Sequence, residues 1–156
     1  MAKTKMLEYR EPQFHLACSL LSFLLVMAST GSAPMARILV VDDDPDITFA
    51  VSLYLKRDQH EVRTAASRAE AMEALKDFPP DLIILDVMME QPDDGIAMAQ
   101  DLRRAGSTVP IIMLTSVGQV TGMTYGRDND LVPVEVFFEK PVRPDDLLKA
   151  VSGLLK

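Results

Sequence analysis

Three acids, a hydroxyl and an amine stand at the carboxyl ends of four short apolar runs. Asp42 and Asp43 follow ILVV, Asp86 closes LIILD (82–86), Thr115 closes IIMLT (111–115), and Lys140 closes VFFEK (136–140). Carboxylates are the ligands hard divalent cations prefer. A carboxylate can also attack a phosphoryl group, and an ammonium and a hydroxyl can hold phosphoryl oxygens. If these five residues meet, the chemistry they suit is that of a divalent cation plus a phosphoryl group.

They meet only if the runs are parallel strands of one sheet. Each run is short, apolar, rich in Val and Ile, and bounded by charge or turn residues, which is the signature of a buried strand. Between the runs lie helical patterns. Asp44 suits an N-cap, with Pro45 at the first helical position, and Ile47, Val51, Leu53, Tyr54 and Leu55 read as one apolar stripe running to about Arg57. EVRTA (61–65) reads as a short strand. Ser67 and Glu70 form a capping box opening a helix to Phe78, which Pro79 and Pro80 stop. Asp94-Gly95 opens a third helix with Ile96, Ala99 and Leu102 inward and Gly106 as its C′ residue. The last strand is expected at about 134–138. Arg143-Pro144 then starts a final helix with Leu147, Leu148, Val151, Leu154 and Leu155 on its buried face. Strands alternating with helices predict a parallel sheet covered on both faces, with ligands outside the carboxyl ends of its strands.

Two segments fit this pattern less well. Within 116–133, Gly118, Gly122 and Gly126 recur and apolar residues are sparse, so the fourth helix that a parallel crossover needs is expected to be atypical. Residues 1–34 begin basic, carry an apolar run from Phe14 to Ala28, and end STGSAP. That run is short of the ~20 apolar residues of a membrane span and looks signal-like. Met35 and ARILVVDDD follow as a natural protein start. We therefore read 1–34 as a leader outside the fold, from a mis-assigned start or a signal, and 35–156 as the functional domain. A domain fed from ATP-derived phosphoryl donors is expected in the cytoplasm, with a membrane partner unlikely on this reading.

Composition narrows the classes further. The 156 residues are 48% hydrophobic and 25% charged, as in an ordinary globular domain, with a net charge of −7. Residues 1–35 hold three basic and two acidic side chains, which leaves 13 and 21, net −8, for the rest. An acidic domain without a basic stripe argues against direct nucleic-acid binding. Cys18 is the only cysteine, and His15 and His60 lack metal-ligand spacing, so thiolate and imidazole metal sites are out.

The ordered set Val41-Asp42-Asp43-Asp44-Pro45, Leu85-Asp86, Leu114-Thr115-Ser116 and Phe138-Glu139-Lys140-Pro141 resembles the receiver domain of two-component response regulators, over essentially all of 36–156. The resemblance implies a CheY-like, flavodoxin-like doubly wound five-stranded parallel sheet in the order 2-1-3-4-5. It implies Asp86 as phosphoacceptor from a histidine kinase or phosphotransferase. Mg²⁺ would be held by Asp42, Asp43, Asp86 and the backbone carbonyl of Met88. Thr115 and Lys140 would contact the phosphoryl group, and Phe137 would be the switch aromatic. Lys140-Pro141 is cis in the family. Such a domain is a phosphoacceptor signalling protein that catalyses its own phosphorylation, not a conventional enzyme, and its output is altered binding to a downstream protein.

The chain departs from the usual pattern after Asp86, where V-M-M-E-Q-P-D-D-G lacks the common Met-Pro pair and is one residue longer. The interval from Thr115 to Lys140 is also longer than usual, and the Gly-Ala step before the last strand is missing. Met88 and Val117 stand where polar groups often hold the hydrolytic water, so slow loss of the phosphoryl group is expected. With the last helix ending at Lys156, no DNA-binding or enzymatic output domain is expected. Three other readings use overlapping residues. They are a phosphorelay intermediate, a phosphorylation-independent scaffold, and a haloacid-dehalogenase-like Mg²⁺ phosphatase built on the Asp42-x-Asp44 spacing.

Overall fold

The computed structural model describes residues 35–116 and 134–155, all within the unit Ala33–Lys156. The leader, the fourth helix expected within 116–133, and Val117 lie outside the described residues, apart from Ser116. Five strands, β1 (Arg37–Val41), β2 (Glu61–Ala65), β3 (Leu82–Asp86), β4 (Ile111–Ser116) and β5 (Val136–Lys140), form one sheet. Every pairing is parallel, and the order is β2-β1-β3-β4-β5. Among the described residues four helices accompany them: α1 (Pro45–Arg57), α2 (Arg68–Asp77), α3 (Asp94–Arg104) and α4 (Pro144–Leu154).

Side-chain alternation along the strands divides the core in two. Leu39, Val41, Ile83, Leu85, Ile111 and Met113 pack with Ala71 of α2 and with Met98, Ala99 and Leu102 of α3. Their neighbours Ile38, Val40, Leu82, Ile84, Ile112 and Leu114 pack with Val51 and Leu55 of α1 and with Leu147 and Val151 of α4. β3 is central and buried at every position, which is why LIILD is apolar on both faces. β2 and β5 are the edges.

Local chemistry starts and stops the helices where the residue types direct. Asp44 accepts hydrogen bonds from the amides of Asp46 (2.9 Å) and Ile47 (3.4 Å), and Pro45 occupies the first turn. Ser67 Oγ accepts from Glu70 N at 3.2 Å, while the Glu70 carboxylate reaches back to Ala66 N at 2.9 Å. Gly106 ends α3 with φ +84°, a conformation that suits glycine.

Two expectations are corrected. Leu53 is 56% exposed and does not join the buried stripe of α1. At ~100° per residue it stands about 200° round from Val51, on the outer face with Phe49. The last strand begins at Val136 rather than 134, because Glu135 spends its backbone and side chain on the start of β4 (Glu135 N to Ile111 O, 3.1 Å; Ile111 N to Glu135 Oε2, 2.6 Å). Lys140 is thereby the last strand residue, not a residue beyond the strand.

α3 begins hard against the end of β3. The Gly95 amide donates to Val87 O at 3.1 Å, and a Cβ on Gly95 would lie 1.9 Å from the Asp86 carbonyl oxygen. That atom is backbone and cannot rotate away. Gly95→Ala is therefore expected to lower the unfolding free energy by about 3 kcal/mol, the upper range for forced repacking. A urea midpoint unchanged by the substitution would show that α3 does not need this approach.

Candidate functional site

The carboxyl ends of β1, β3, β4 and β5 bring the candidate residues to one crevice. Asp42 follows β1 directly, and its amide donates to Ala65 O at 3.1 Å, extending the β1–β2 ladder by one step. This turns its side chain inward, where it is 1% exposed. Asp43 points outward and is exposed. Asp86, the last residue of β3, is 4% exposed. Carboxylate oxygens of Asp42, Asp43 and Asp86 all lie within 4.8 Å of one another, a grouping that could hold a metal ion.

Lys140 sits across the two buried acids. Its ammonium donates to Asp42 Oδ2 at 2.6 Å and lies 3.1 Å from Asp86 Oδ1. The other oxygen of Asp42 accepts the Asp44 amide at 3.0 Å, so both of its oxygens are occupied. Asp86 Oδ1 has the nearby charge but accepts no aligned hydrogen bond among the described residues, and the buried Thr115 hydroxyl likewise has no partner there. Phe137, half-buried, packs against the α2–α3 side of the core. Lys140–Pro141 is cis, as the resemblance implies.

The charges respond to this enclosure. Burial pushes the Asp86 carboxyl above its ordinary value of 3.8. Lys140 opposes that push, the charge of Asp42 adds to it, and the hydrogen bond from the Met88 backbone amide opposes it. For Lys140, burial works downward. The hydrogen bond and charge of Asp42, then Asp86, outweigh it and hold the amine above 10.5.

These groups fit a magnesium ion. Mg²⁺ takes oxygen ligands, keeps several waters, and needs only one or two carboxylates. Asp43 is exposed and unencumbered by the lysine, and Asp86 has a buried oxygen lacking an aligned donor. The Asp42-x-Asp44 reading fails on geometry, since the Asp44 carboxylate caps α1 and is not part of the acidic group. A cavity of about 510 Å³ opens at the opposite end of the sheet, beside Met35, Pro80, Val109 and Leu155, and holds none of these residues. Gly95 was not singled out from sequence as a site residue. The Asp94-Gly95 pair marked a helix start but gave no sign that α3 packs onto the Asp86 carbonyl.

Comparison with known proteins agrees with this geometry. The family model of the response regulator receiver domain matches residues 38–152. The chain is 34% identical over 124 residues to the DNA-binding dual master transcriptional regulator RpaA of Synechocystis, covering 78% of this chain and 50% of that one. It is 36% identical to the regulatory protein VanR of Enterococcus faecium, with 77% and 50% covered. The chemotaxis protein CheY4 of Vibrio cholerae superimposes with a TM-score of 0.68 at 31% identity, over 78% of this chain and 99% of that one. The chain belongs to the response regulator receiver family, whose members are two-component signalling domains rather than classical enzymes and generally bind Mg²⁺.

The expectation that nucleic acid is no partner is overturned. RpaA is a DNA-binding regulator by name, as is MtrA of Mycolicibacterium smegmatis at 33% identity. A net charge of −8 describes the surface of the receiver and carries no information about a separate output domain. The chain spans about half the length of the curated relatives it matches. No helix among the described residues is long and apolar enough to cross a membrane.

Two stability effects follow from the crevice. Asp86 has a folded pKa above its unfolded value, so its ionisation costs stability as pH rises through the folded pKa. Asp86→Asn should therefore stabilise the metal-free protein at neutral pH, and the advantage should vanish as pH falls towards 3.8. Thermal unfolding across pH reads this, and an advantage that grew on acidification would contradict it. Lys140→Met leaves two buried carboxylates without a counter-charge. It should cost about 3 kcal/mol in metal-free urea unfolding.

Proposed function

We propose that this receiver takes a phosphoryl group onto Asp86 from a phosphohistidine donor, a sensor kinase or phosphotransferase, with Mg²⁺ held by Asp42, Asp43, Asp86 and the backbone carbonyl of Met88. The observation that carries the proposal is the pairing of Asp86 with Lys140 at the mouth of an acidic group. An Asp86 oxygen attacks phosphorus in line, the bond from phosphorus to the donor nitrogen breaks, and the donor leaves with the electron pair. Lys140 neutralises oxygens of the transferred group, and Thr115 turns its unpartnered hydroxyl onto one of them. When bound, the cation supplies charge neutralisation and a template for the donor phosphoryl group.

Movement of Thr115 and Phe137 then shifts the domain between two conformations. The DNA-binding relatives support an output on nucleic acid through an output domain, not through this acidic surface. The receiver boundary at residue 35, with the preceding segment outside the fold, belongs to the same proposal.

Incubation of the full chain with Mg²⁺ and acetyl phosphate, followed by intact mass, should give a single phosphoryl adduct. Asp86→Ala should abolish it, and Thr115→Ala or Lys140→Ala should slow its formation by about a hundredfold. No adduct on the wild type would leave the phosphorylation-independent scaffold as the reading, and an undiminished one on Asp86→Ala would overturn Asp86 as the acceptor.

A further inference from the structure

β5 delivers Lys140 to the crevice, yet its own residues do not say which way it should face. VFF is apolar on both sides, with Phe137 packed towards α2 and α3 and Phe138 towards α1 and α4. A strand with one apolar face fixes its register by burying that face; a strand with two does not. Among the described residues β5 is an edge strand paired with β4 alone, so no second described strand corrects a slip. Parallel crossovers are also too long for a tight turn to set the register. A shift of one residue would exchange Phe137 with Phe138 and turn Lys140 away from Asp42 and Asp86.

One polar contact breaks this ambiguity. Glu135, immediately before β5, donates its amide to Ile111 O at 3.1 Å and accepts the Ile111 amide on Oε2 at 2.6 Å. Both of its oxygens also receive Arg103 Nη2, at 3.0 and 3.1 Å. Arg103 is itself held by its other nitrogen, which donates to Ser107 O (3.1 Å) and Val109 O (2.7 Å). The guanidinium thus ties the end of α3 and the approach to β4 to the residue immediately before β5. The Arg103 side chain is 20% exposed and that of Glu135 38%, so the guanidinium is the sheltered partner and its several hydrogen bonds, more than the ion pair alone, hold it in place.

We infer that Arg103 and Glu135 are positioning residues that lock the β4–β5 register and so hold Lys140 on Asp42 and Asp86. The inference rests on the reading of Lys140 as part of the phosphoryl site, but register is measurable without phosphorylation. The pair acts from the opposite end of the strand, through the pairings Ile112–Val136, Leu114–Phe138 and Ser116–Lys140.

The test compares wild type, Glu135→Ala, Glu135→Gln and Arg103→Met as full chains. Circular dichroism confirms folding, NMR cross-strand NOEs give the register, and acetyl phosphate with Mg²⁺ gives the phosphorylation rate. Glu135→Ala should lose the NOEs that join Ile112 to Val136 and Leu114 to Phe138, and should phosphorylate about a hundredfold more slowly, the order that a 1 Å misplacement costs. Glu135→Gln keeps an acceptor for Ile111 and should retain the wild-type register. If Glu135→Ala does not fold, Arg103→Met, which spares the Ile111 bonds, reads the same NOEs. Wild-type NOEs in folded Glu135→Ala, or in Arg103→Met where Glu135→Ala does not fold, overturn the inference, whatever the rate. Absence of phosphorylation in every protein, wild type included, would instead defeat the proposed function and leave the register result standing.

Discussion

Two buried carboxylates can share a crevice in their charged forms only if a positive charge stands between them. Asp42 and Asp86 are nearly inaccessible, and at ~4 Å two like charges repel by ~4 kcal/mol even at an effective dielectric near 20. Lys140 answers that repulsion at 2.6 and 3.1 Å. The opposite directions of two forces at Asp86, burial pushing its pKa up and the ammonium pulling it down, express the same balance. A parallel sheet makes the arrangement possible. Residues far apart in the chain come together because strands that run one way end on one edge. A buried acid at the end of β1, another at the end of β3 and an amine at the end of β5 need no loop to carry them inward.

The charge pattern also accounts for the division of labour among the acids. Each oxygen of Asp42 already accepts one hydrogen bond, from the Lys140 ammonium and from the Asp44 amide. Asp43 reaches solvent. Asp86 has an oxygen with a charge nearby but no aligned donor. On the proposed reading, a cation would meet Asp43 from the solvent side and give the Asp86 oxygen the partner it lacks. Asp44, although part of the same run, is spent on the α1 amides. The four carboxylates therefore sit in four different surroundings, and the difference lies in their hydrogen-bond partners rather than in their residue type.

Much of this was legible in the residues. The four strand-end motifs each carried their own local evidence, and the alternation of strands and helices set the edge they share. Capping residues such as Asp44, Ser67 and Gly106 fixed helix ends because their bonds are local. What escaped was set by tertiary contact. Leu53 matched an apolar residue count but not the angle of the buried line. The start of β5 was misplaced because Glu135 looks like an ordinary charged residue until Ile111 and Arg103 are beside it. Gly95 reads from sequence only as part of a helix start, whereas in the fold it lets α3 approach the Asp86 carbonyl. The nucleic-acid reading failed for a different reason. Charge belongs to a surface, and a receiver's surface does not describe what a DNA-binding relative carries elsewhere in its length.

The weakest specification in the fold thus lies at the strand on which the site depends most. β3 is central, apolar throughout and paired on both sides, so Asp86 is held by the whole core. Among the described residues β5 has one strand neighbour, aromatic residues on both faces, and Lys140 at its last position. Every residue of β5 lies on the path by which a displacement at its start reaches Lys140. A strand free enough to move when the crevice changes charge is suited to signalling, but only if its resting register is unique. Two-faced apolar packing supplies the freedom, since either aromatic finds a core. A polar anchor at the far end supplies the uniqueness, since an unpaired carboxylate beside the Ile111 amide and the Arg103 guanidinium has no comparable alternative.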